Sequence, residues 1–533
     1  MQGKLKVLVA DRLSAGGLKY FQGQSDVTAI TLHGSRETSV EAEIVDADAL
    51  VVRSATRVTA SLIDRAEKLR VIGRAGVGVD NIDVDAATRR GIIVLNAPEG
   101  NAVATAELAF THILSTARPV PQASASVHEG KWAREAFPGT ELFRKTLGVL
   151  GLGRVGGEVA KRALAFGMRV IAYDPYVSTE RAHALQVESV DLEVVLSDAD
   201  FVTVHLPLTE ATAGLLDDSA FAKMKHGVRL VNCARGGIVD EPALVKAILS
   251  GKVAAAGLDV FESEPLPGDS PLLGLPNLVL SPHLGASTRE AQESVGVEVA
   301  SAVVAALRGE VVRNAVNMPA VDAQTLKVLR PYLTLAAKLG SVLQQISPAQ
   351  IESIRITYWG GIVDLDTRPV TRAVQSGFLR RICQESVNDV NAPHFMKRMG
   401  IEISVVNSSS ASDFTELVRV EAIELDGEIH LLEGTLIGTG SVPRITRVNG
   451  SEVEVDMAGH LLFLENRDVP GIVGVIGTIL GRHGVNIAKM SLSRGEFGGV
   501  ALTALELDSP PDAAVVSEIA GHEAIVKVQR VEV

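Results

Sequence analysis

Three side chains with complementary chemistry each follow an apolar segment of the chain. Arg235 follows VRLVNCA, Glu264 lies shortly after AAAGLDV, and His283 follows LVLSP. If these segments are parallel strands, their carboxyl ends meet at one crevice and bring the three side chains together. A histidine bonded to a carboxylate is a general acid/base near neutral pH, and the planar arginine fork binds a carboxylate. The residues therefore predict catalysis on a small hydroxy or oxo acid, with His283 as acid/base, Glu264 as its partner and Arg235 as the carboxylate holder.

Each of these three residues, taken alone, has a simpler structural explanation. A histidine after a strand is usually structural, and an arginine before two glycines can cap a turn. Glu264 stands before Pro265, which fits an exposed loop. Their shared position behind a cofactor-type loop favours the catalytic interpretation.

That loop is rich in glycine. Gly151, Gly153 and Gly156 lie in GLGRVG, which follows the apolar TLGVL and opens a helical pattern. The first glycine allows a tight turn, the second lets the backbone approach a pyrophosphate, and the third packs the helix against the strand. Asp174 ends the next apolar segment about twenty residues on, where a carboxylate binds the adenosine ribose and repels a 2′-phosphate. The loop predicts NAD as cofactor; the alternative is an ordinary strand–helix turn with an incidental aspartate.

The first hundred residues supply candidate substrate contacts. Strand-like segments end in Arg53-Ser54 and in Arg74-Ala-Gly-Val-Gly, whose backbone N–H groups suit a carboxylate. Arg53, Arg57 and Arg74 together suit a phosphate, although a solvated surface position explains Arg57 equally well. Lys131, Trp132 and Arg134 lie in a later loop that suits contact with a partner subunit's site. The predicted substrate-binding residues are Arg53, Ser54, Arg74, Gly76, Val77, Gly78 and Arg134.

Composition and charge narrow the class of protein. The chain has 533 residues, 46% hydrophobic and 22% charged, which is typical of a globular protein of several domains. A net charge of −13 argues against general affinity for nucleic acid or anionic membrane. The two cysteines, Cys233 and Cys383, offer neither a disulfide framework nor a metal site. Without a signal peptide or an apolar run of the ~18 residues that span a membrane, we expect a soluble cytoplasmic protein with no metal.

The elements that must position these residues form two α/β series. The first contains LKVLVA, ALVVRS, RVIGRAG and GIIVLNAP, and the second contains LGVLGLG, RVIAYD, FVTVHLP, VRLVNCA, AAAGLDV and LVLSPH. Helical stretches separate most of these strands, so both series predict doubly wound parallel sheets. A crossing helix is predicted to begin in 101–118, and a helix over 288–309 could return the chain to the first domain.

The remainder of the chain has a different pattern. After a linker at 311–323, a helix over about 324–346 leads into the strand IESIRITYWG, a second helix and strand-rich sequence to about 455. The last segment reads strand, helix, strand, strand, helix, strand, which predicts a ferredoxin-like module. The predicted fold class is thus two doubly wound α/β domains, then an α+β domain and a ferredoxin-like domain.

Six segments identify a family. NAPEGNAVATAEL, GLGRVGGEVA, HLPLT, NCARGGIVDE, GLDVFESEP and SPHLGAST, in this order, resemble the D-isomer-specific 2-hydroxyacid dehydrogenases over about residues 1–315. The resemblance implies a flavodoxin-like substrate-binding domain (1–98 and 288–317) and a Rossmann NAD-binding domain (99–287) with the active site between them. It assigns catalysis to Arg235, Glu264 and His283. Beyond the three glycines, it implies NAD contacts at Arg154, Val155, Asp174, Leu206, Pro207, Cys233, Ala234, Arg235, Asp259, His283, Gly285 and Ala286.

The C-terminal half resembles two further modules. Residues 318–457 resemble the intervening domain of long-form members of that family, and residues 458–533 resemble an ACT domain, a small module that senses amino acids. The resemblance implies D-3-phosphoglycerate as substrate, L-serine as effector and a homotetramer. Asn466, Asp468 and Asn486 would then hold serine across an interface between two ACT domains. An ordinary helix cap explains these local residues about as well.

Two other functions remain open at this point. A glyoxylate or hydroxypyruvate reductase would share the same three catalytic residues and cofactor loop. A corepressor-like binding protein could use NAD only as a conformational signal, because a fold does not settle a function. The C-terminal modules and the arginines of the first domain favour the phosphorylated substrate.

Overall fold

The computed structural model describes residues 4–32, 39–275, 277–310, 312–347, 350–410, 413–438, 440–494 and 499–533. Its first sheet is entirely parallel, with strand order β2-β1-β3-β4-β5, which is the flavodoxin-like order. The strands are β1 (Leu5–Val9), β2 (Val27–Thr31), β3 (Ala49–Val52), β4 (Val71–Arg74) and β5 (Ile93–Leu95). The helices are α1 (Ala15–Gln22), α2 (Val40–Glu43), α3 (Ala60–Arg65) and α4 (Val84–Arg89), with a 3₁₀ turn at Ile44–Asp46, and the crossing helix α5 (Ala102–Ala117) leaves this sheet and packs on the second one.

The second sheet is also parallel, with strand order β12-β11-β10-β9-β6-β7-β8. The order reverses between β6 and β9, which places the switch point of a Rossmann sheet beside the glycine-rich loop. The strands are β6 (Thr146–Leu150), β7 (Arg169–Tyr173), β8 (Glu188–Ser189), β9 (Phe201–Val204), β10 (Val228–Asn232), β11 (Val253–Leu258) and β12 (Leu278–Leu280). The helices are α6 (Val120–His128), α7 (Arg154–Ala165), α8 (Thr179–Ala184), α9 (Leu192–Asp198), α10 (Asp218–Lys223) and α11 (Glu241–Leu249), with a 3₁₀ turn at Arg134–Ala136.

Helix α12 (Arg289–Leu307) returns the chain to the first sheet. Its Val295, Val299 and Val303 join one buried core with Val7 and Val51 of that sheet. A Cβ at Gly73 in β4 would lie 2.6 Å from a Val303 methyl, so glycine permits this close helix–sheet packing. The helix that the sequence predicted over 288–309 therefore packs on the first sheet.

A third sheet combines one parallel pair with antiparallel strands, in the order β14-β13-β15-β16-β17-β18. The long helix α13 (Ala323–Ile346) packs on it and contributes Leu335, Leu339 and Leu343 to its core. The strands are β13 (Ile351–Trp359), β14 (Glu402–Ser408), β15 (Leu417–Glu424), β16 (Ile429–Ile437), β17 (Val442–Val448) and β18 (Ser451–Asp456). The other helices are α14 (Arg368–Leu379) and α15 (Ala392–Arg398), with a 3₁₀ turn at Gly361–Asp364.

The fourth sheet is antiparallel, with order β20-β21-β19-β22. Its βαββαβ sequence confirms the predicted ferredoxin-like fold. The elements are β19 (His460–Arg467), α16 (Ile472–Arg482), β20 (Ile487–Arg494), β21 (Val500–Leu507), α17 (Ala513–Ala520) and β22 (Ile525–Glu532). One face packs under its own helices, whereas Leu461, Phe463 and Leu502 on the other face join the core of the third sheet.

Among the described residues, no helix combines the length and the apolar character that a bilayer span requires.

Candidate active site

The predicted acid/base pair forms at the carboxyl edge of the second sheet. His283 Nδ1 lies 2.6 Å from Glu264 Oε2, and the other Glu264 oxygen accepts from the Phe261 backbone N–H at 3.1 Å. About half of the His283 side chain is exposed, so its Nε2 is left for a ligand in the cleft. A carboxylate at this distance fixes the ring orientation and stabilises the imidazolium.

Asp259 holds the turn that carries His283. It is fully buried at the end of β11, and its carboxylate accepts from Ser281 Oγ at 2.6 Å, Leu284 N at 2.7 Å and Gly285 N at 2.9 Å. His283 itself has a left-handed backbone with φ of 53°, which costs a non-glycine residue roughly 1–2 kcal/mol. The resemblance assigned Asp259 to NAD, but both of its oxygens point into the protein, where they hold this turn in place.

Sequence reasoning missed a further member of this network. His112 Nε2 in α5 lies 2.9 Å from Ser281 Oγ, and the Ser281 hydroxyl proton is committed to Asp259. His112 Nε2 must therefore be the donor. Burial lowers the pKa of His112, with Asp259 acting in the opposite direction, so a neutral donor tautomer is favoured. His112 and Ser281 are 169 residues apart, so no local spacing could have revealed the pair.

Cys233 follows β10 close to the same network. The thiol is buried, and burial, reinforced by Asp259, raises its pKa well above the ordinary value. It stays protonated at neutral pH, which suits the predicted role of a small buried residue and does not suit a nucleophile.

The glycine-rich loop has the geometry of a phosphate-binding turn. Gly151 has φ of 96°, and a Cβ there would lie 2.7 Å from the His205 carbonyl oxygen. A Cβ at Gly156 would collide with the Gly151 carbonyl, whereas a Cβ at Gly153 would enter open space. Gly153 is also the N-cap of α7, whose first N–H groups receive no side-chain cap in the described structure. The loop therefore fits a dinucleotide pyrophosphate at the helix N-terminus.

Asp174 lies against this loop. Its two oxygens accept from the Leu152 N–H at 2.8 Å and the Tyr176 N–H at 2.9 Å. The carboxylate therefore both fixes the loop and stands at the edge where an adenosine ribose would bind. His205 lies beside the same loop. Its side chain is neutral at physiological pH, because burial lowers its pKa to about 4.

The remaining predicted cofactor residues surround the same edge. Leu206 is buried and Pro207 exposed directly after β9, and Arg154 forms an exposed ion pair with Glu99 at 3.7 Å. Val155, Ala234 and Ala286 are half-buried, and Gly285 is buried, with its carbonyl accepting from Thr105 Oγ1 at 3.1 Å.

Arginines from both sheets meet across the cleft. The Arg235 guanidinium lies against Gly78 and forms an ion pair with Asp80 at 3.3 Å, while the Arg74 guanidinium covers Gly76. Burial lowers the pKa of Arg74 to about 10, assisted by the positive charges of Arg235 and Arg53. Arg74 Nε is buried and has no hydrogen-bond partner among the described residues. A cluster of this kind is an electrostatically favourable site for an anion.

Other predicted substrate contacts are less closely engaged. Arg53 is held by Asp11, which accepts from its backbone N–H at 2.6 Å, and Ser54 and Arg57 are exposed nearby. The Val77 carbonyl accepts from Asn96 Nδ2 at 2.7 Å.

The loop before the second sheet stands apart from this cluster. Trp132 is 86% exposed, and Lys131 pairs with Glu129 at 2.8 Å. Arg134 is exposed, forms no ion pair with any described carboxylate, and is not among the charges that act on Arg74.

The three predicted regulatory residues are not brought together within one chain. Asn466 is fully buried, and its Oδ1 accepts from Thr503 Oγ1 at 2.8 Å. Asp468 lies at the end of the fourth sheet, 3.4 Å from Arg494. Asn486 lies at the opposite end, where its Nδ2 donates to Asp508 at 2.6 Å. The strand register separates these two ends by roughly 25–30 Å.

One group in the third sheet has side chains of a kind that bind metals. Glu424, Glu428 and His430 offer ligand atoms within 4.8 Å of one another. His430 is already bonded through Nε2 to Glu424 at 2.8 Å, which accounts for the contact without an ion.

Known proteins share both the sequence and the fold. Residues 110–285 match the D-isomer specific 2-hydroxyacid dehydrogenase NAD binding domain, and residues 328–449 match the D-3-phosphoglycerate dehydrogenase intervening domain. The D-3-phosphoglycerate dehydrogenase of Bacillus subtilis is 42% identical over 99% of each chain, and that of Archaeoglobus fulgidus is 43% identical over 99% of this chain and all of its own. A D-lactate dehydrogenase from Aquifex aeolicus, solved with NAD and lactic acid, matches 59% of this chain and all of its own, with a TM-score of 0.53 and 29% identity. The chain belongs to the D-3-phosphoglycerate dehydrogenase family of NAD-dependent D-isomer-specific 2-hydroxyacid dehydrogenases.

Proposed function

We propose that this chain oxidises D-3-phosphoglycerate to 3-phosphohydroxypyruvate with NAD, as the first step of phosphorylated serine synthesis. The observation that carries the proposal is the arginine cluster of Arg74 and Arg235, with Arg53 beside it, in the same cleft as the His283–Glu264 pair. A substrate with a carboxylate at one end and a phosphate at the other places anions on these cations while its hydroxyl faces a base. The full-length relatives are named D-3-phosphoglycerate dehydrogenases.

The residues divide the chemistry among them. Arg235 binds the substrate carboxylate and the oxygen at C2, which orients that carbon toward the cofactor loop. His283 Nε2 takes the hydroxyl proton, and Glu264 at Nδ1 stabilises the positive ring that results. NAD, when bound at the glycine-rich loop, supplies the acceptor for the hydride from C2. The backbone N–H groups of Val77 and Gly78 bind the carboxylate, since that of Gly76 donates to the Arg74 carbonyl, and Arg53, Arg57 and Arg74 bind the phosphate.

Regulation is a second part of the proposal. The fourth sheet has the fold expected of an ACT domain, and we propose L-serine as its effector. Asp468 and Asn486 lie at opposite ends of the sheet, so a single pocket that uses both would require two copies related by a two-fold axis. Exposed Val120, Val127 and Trp132 support contact between subunits, as the proposed homotetramer requires.

The test follows NADH formation by absorbance, with D-3-phosphoglycerate and NAD, in the presence and absence of L-serine. Turnover that serine suppresses is expected. Turnover without a serine effect would contradict the effector and leave the reaction standing. Activity only with hydroxypyruvate or glyoxylate would replace the proposal with the reductase, and NAD binding without turnover of any of these substrates would favour the corepressor-like function.

A further inference from the structure

The turn that carries His283 is bonded at both of its ends to helix α5. At its start, Ser281 Oγ lies 2.9 Å from His112 Nε2. At its end, the Gly285 carbonyl accepts from Thr105 Oγ1 at 3.1 Å. Because seven residues make two helical turns, Thr105 and His112 lie on one face of α5, roughly 10 Å apart along its axis. Two well-separated points of the helix therefore hold two points of the turn, which restricts its rotation as well as its translation.

His283 depends on this backbone for its position. Its side chain is half exposed and is bonded only to Glu264 among the described residues. Its left-handed backbone, with φ of 53°, is disfavoured by the Cβ and persists only where neighbouring groups fix it. Since proton and hydride transfer need near-contact geometry, a displacement of about 1 Å slows such a reaction strongly. Groups that fix the turn therefore contribute to the rate.

The surroundings of His112 leave its ring one hydrogen bond to make. The side chain is 3% exposed, and a Cβ at Gly257 of β11 would lie 2.8 Å from Nδ1. Nδ1 is buried and has no hydrogen-bond partner among the described residues, whereas Nε2 meets Ser281. The other buried residues of α5 are mostly apolar. An apolar side chain would fill the same space, so the bond to the turn is what accounts for a polar ring at this position.

We propose that His112 is a positioning residue for the acid/base: its Nε2–H fixes the Ser281 hydroxyl, and this hydroxyl ties the turn of His283 to the Asp259 carboxylate. This role rests on the proposed function of His283 as acid/base. Hydrogen bonds in a chain polarise one another, so donation from His112 strengthens the bond from Ser281 to Asp259. Because His112 is buried, it acts through Ser281 and changes the rate of the reaction more than the binding of the substrate.

The first experiment compares two variants of His112. His112→Met removes the N–H and keeps a flexible apolar side chain, whereas His112→Gln retains an N–H donor at the end of the side chain. We expect His112→Met to lower the single-turnover rate constant for NADH formation from D-3-phosphoglycerate and NAD about three- to tenfold, with the half-saturating substrate concentration changed by less than about twofold. His112→Gln should recover most of this loss. Equal rates in the two variants, at thermal midpoints that show both to be folded, would overturn the proposal.

A double-mutant cycle tests whether His112 acts through Ser281. If the hydroxyl carries the effect, His112→Met adds no further loss in a Ser281→Ala background, and the double variant reacts as fast as Ser281→Ala alone. Losses that multiply would show that His112 acts on the rate by packing, and would overturn the proposal.

Two threonines of α5 form a matched pair of variants. Thr105 bonds the turn, whereas the similarly buried Thr116 donates to the Ile113 carbonyl of its own helix at 2.8 Å. Thr105→Val is expected to lower the same rate constant about threefold, and Thr116→Val to leave it unchanged. Equal rates in these two variants would show that α5 does not hold the turn. If the parent chain turns over another hydroxy or oxo acid in place of D-3-phosphoglycerate, the same variants are compared with that acid, so the two proposals fail separately.

Discussion

In the cleft, Arg235, Glu264 and His283 follow the ends of three neighbouring parallel strands, and His283 and Glu264 are in contact within a single chain. In the C-terminal module, Asp468 and Asn486 come from an antiparallel sheet and lie at opposite ends of it. Parallel strands all end at the same edge, whereas antiparallel strands alternate. The first architecture can therefore gather the proposed catalytic residues in one subunit, whereas the proposed effector residues would need a second copy to meet.

The largest expected effect concerns the cleft. His283→Ala should lower kcat by about 10²–10⁴-fold, because the general base is lost. The side chain is half exposed, so the thermal midpoint should remain close to that of the parent chain. Steady-state turnover with D-3-phosphoglycerate measures the first quantity and a thermal melt the second. Unchanged turnover would remove His283 from the mechanism.

The next largest effect tests whether the turn that carries His283 depends on the buried Asp259 carboxylate. In Asp259→Asn an amide N–H₂ must face at least one of the donors Ser281, Leu284 and Gly285. We expect a loss of roughly 1–3 kcal/mol in the free energy of unfolding. Since Asp259 acts through the position of His283, we also expect a lower kcat with little change in KM.

Ser281→Ala, which removes one of those bonds, is the matched control and should show a smaller loss of both quantities. Denaturant unfolding and steady-state kinetics measure them. If Asp259→Asn lowered kcat no more than Ser281→Ala did, Asp259 would not be the residue that positions the turn.

In the C-terminal module the expected effect is on stability. Asn466→Ala removes a fully buried acceptor and leaves the Thr503 hydroxyl unpaired, which should cost roughly 1–3 kcal/mol in denaturant unfolding. Basal turnover should stay unchanged, because Asn466 is remote from the cleft. An unfolding free energy equal to that of the parent chain would show that the buried bond is dispensable.

The smallest effect on stability is expected for Asn486→Ala. Its hydrogen bond to Asp508 is exposed, so the unfolding free energy should change by less than about 0.5 kcal/mol. Inhibition by L-serine should nevertheless weaken if Asn486 contacts the effector across a two-fold interface. Serine inhibition that is unchanged in this stable variant would separate Asn486 from the effector site.

The sequence predicted most strands of the parallel sheets because they are buried on both faces and read as apolar runs. It missed β2, whose VTAIT is partly exposed, and β8, which has only two residues. The contact between His283 and Glu264 was predictable from the strand ends. The chain from His112 through Ser281 to Asp259 was not, because it depends on contacts between residues far apart in sequence. The burial of Asn466 was equally invisible, since a turn motif does not show which way a side chain points.

Helix α12 has a consequence for how the chain becomes folded during synthesis. The first sheet is complete at β5, yet its core includes Val295, Val299 and Val303, which the ribosome adds only after the whole second sheet. Domains generally fold in the order in which they emerge. Here the second sheet can close first, while one apolar face of the first sheet is covered only by the segment around α1 until α12 emerges. The N-terminal sheet thus exposes part of its apolar core in the nascent chain until α12 has been made.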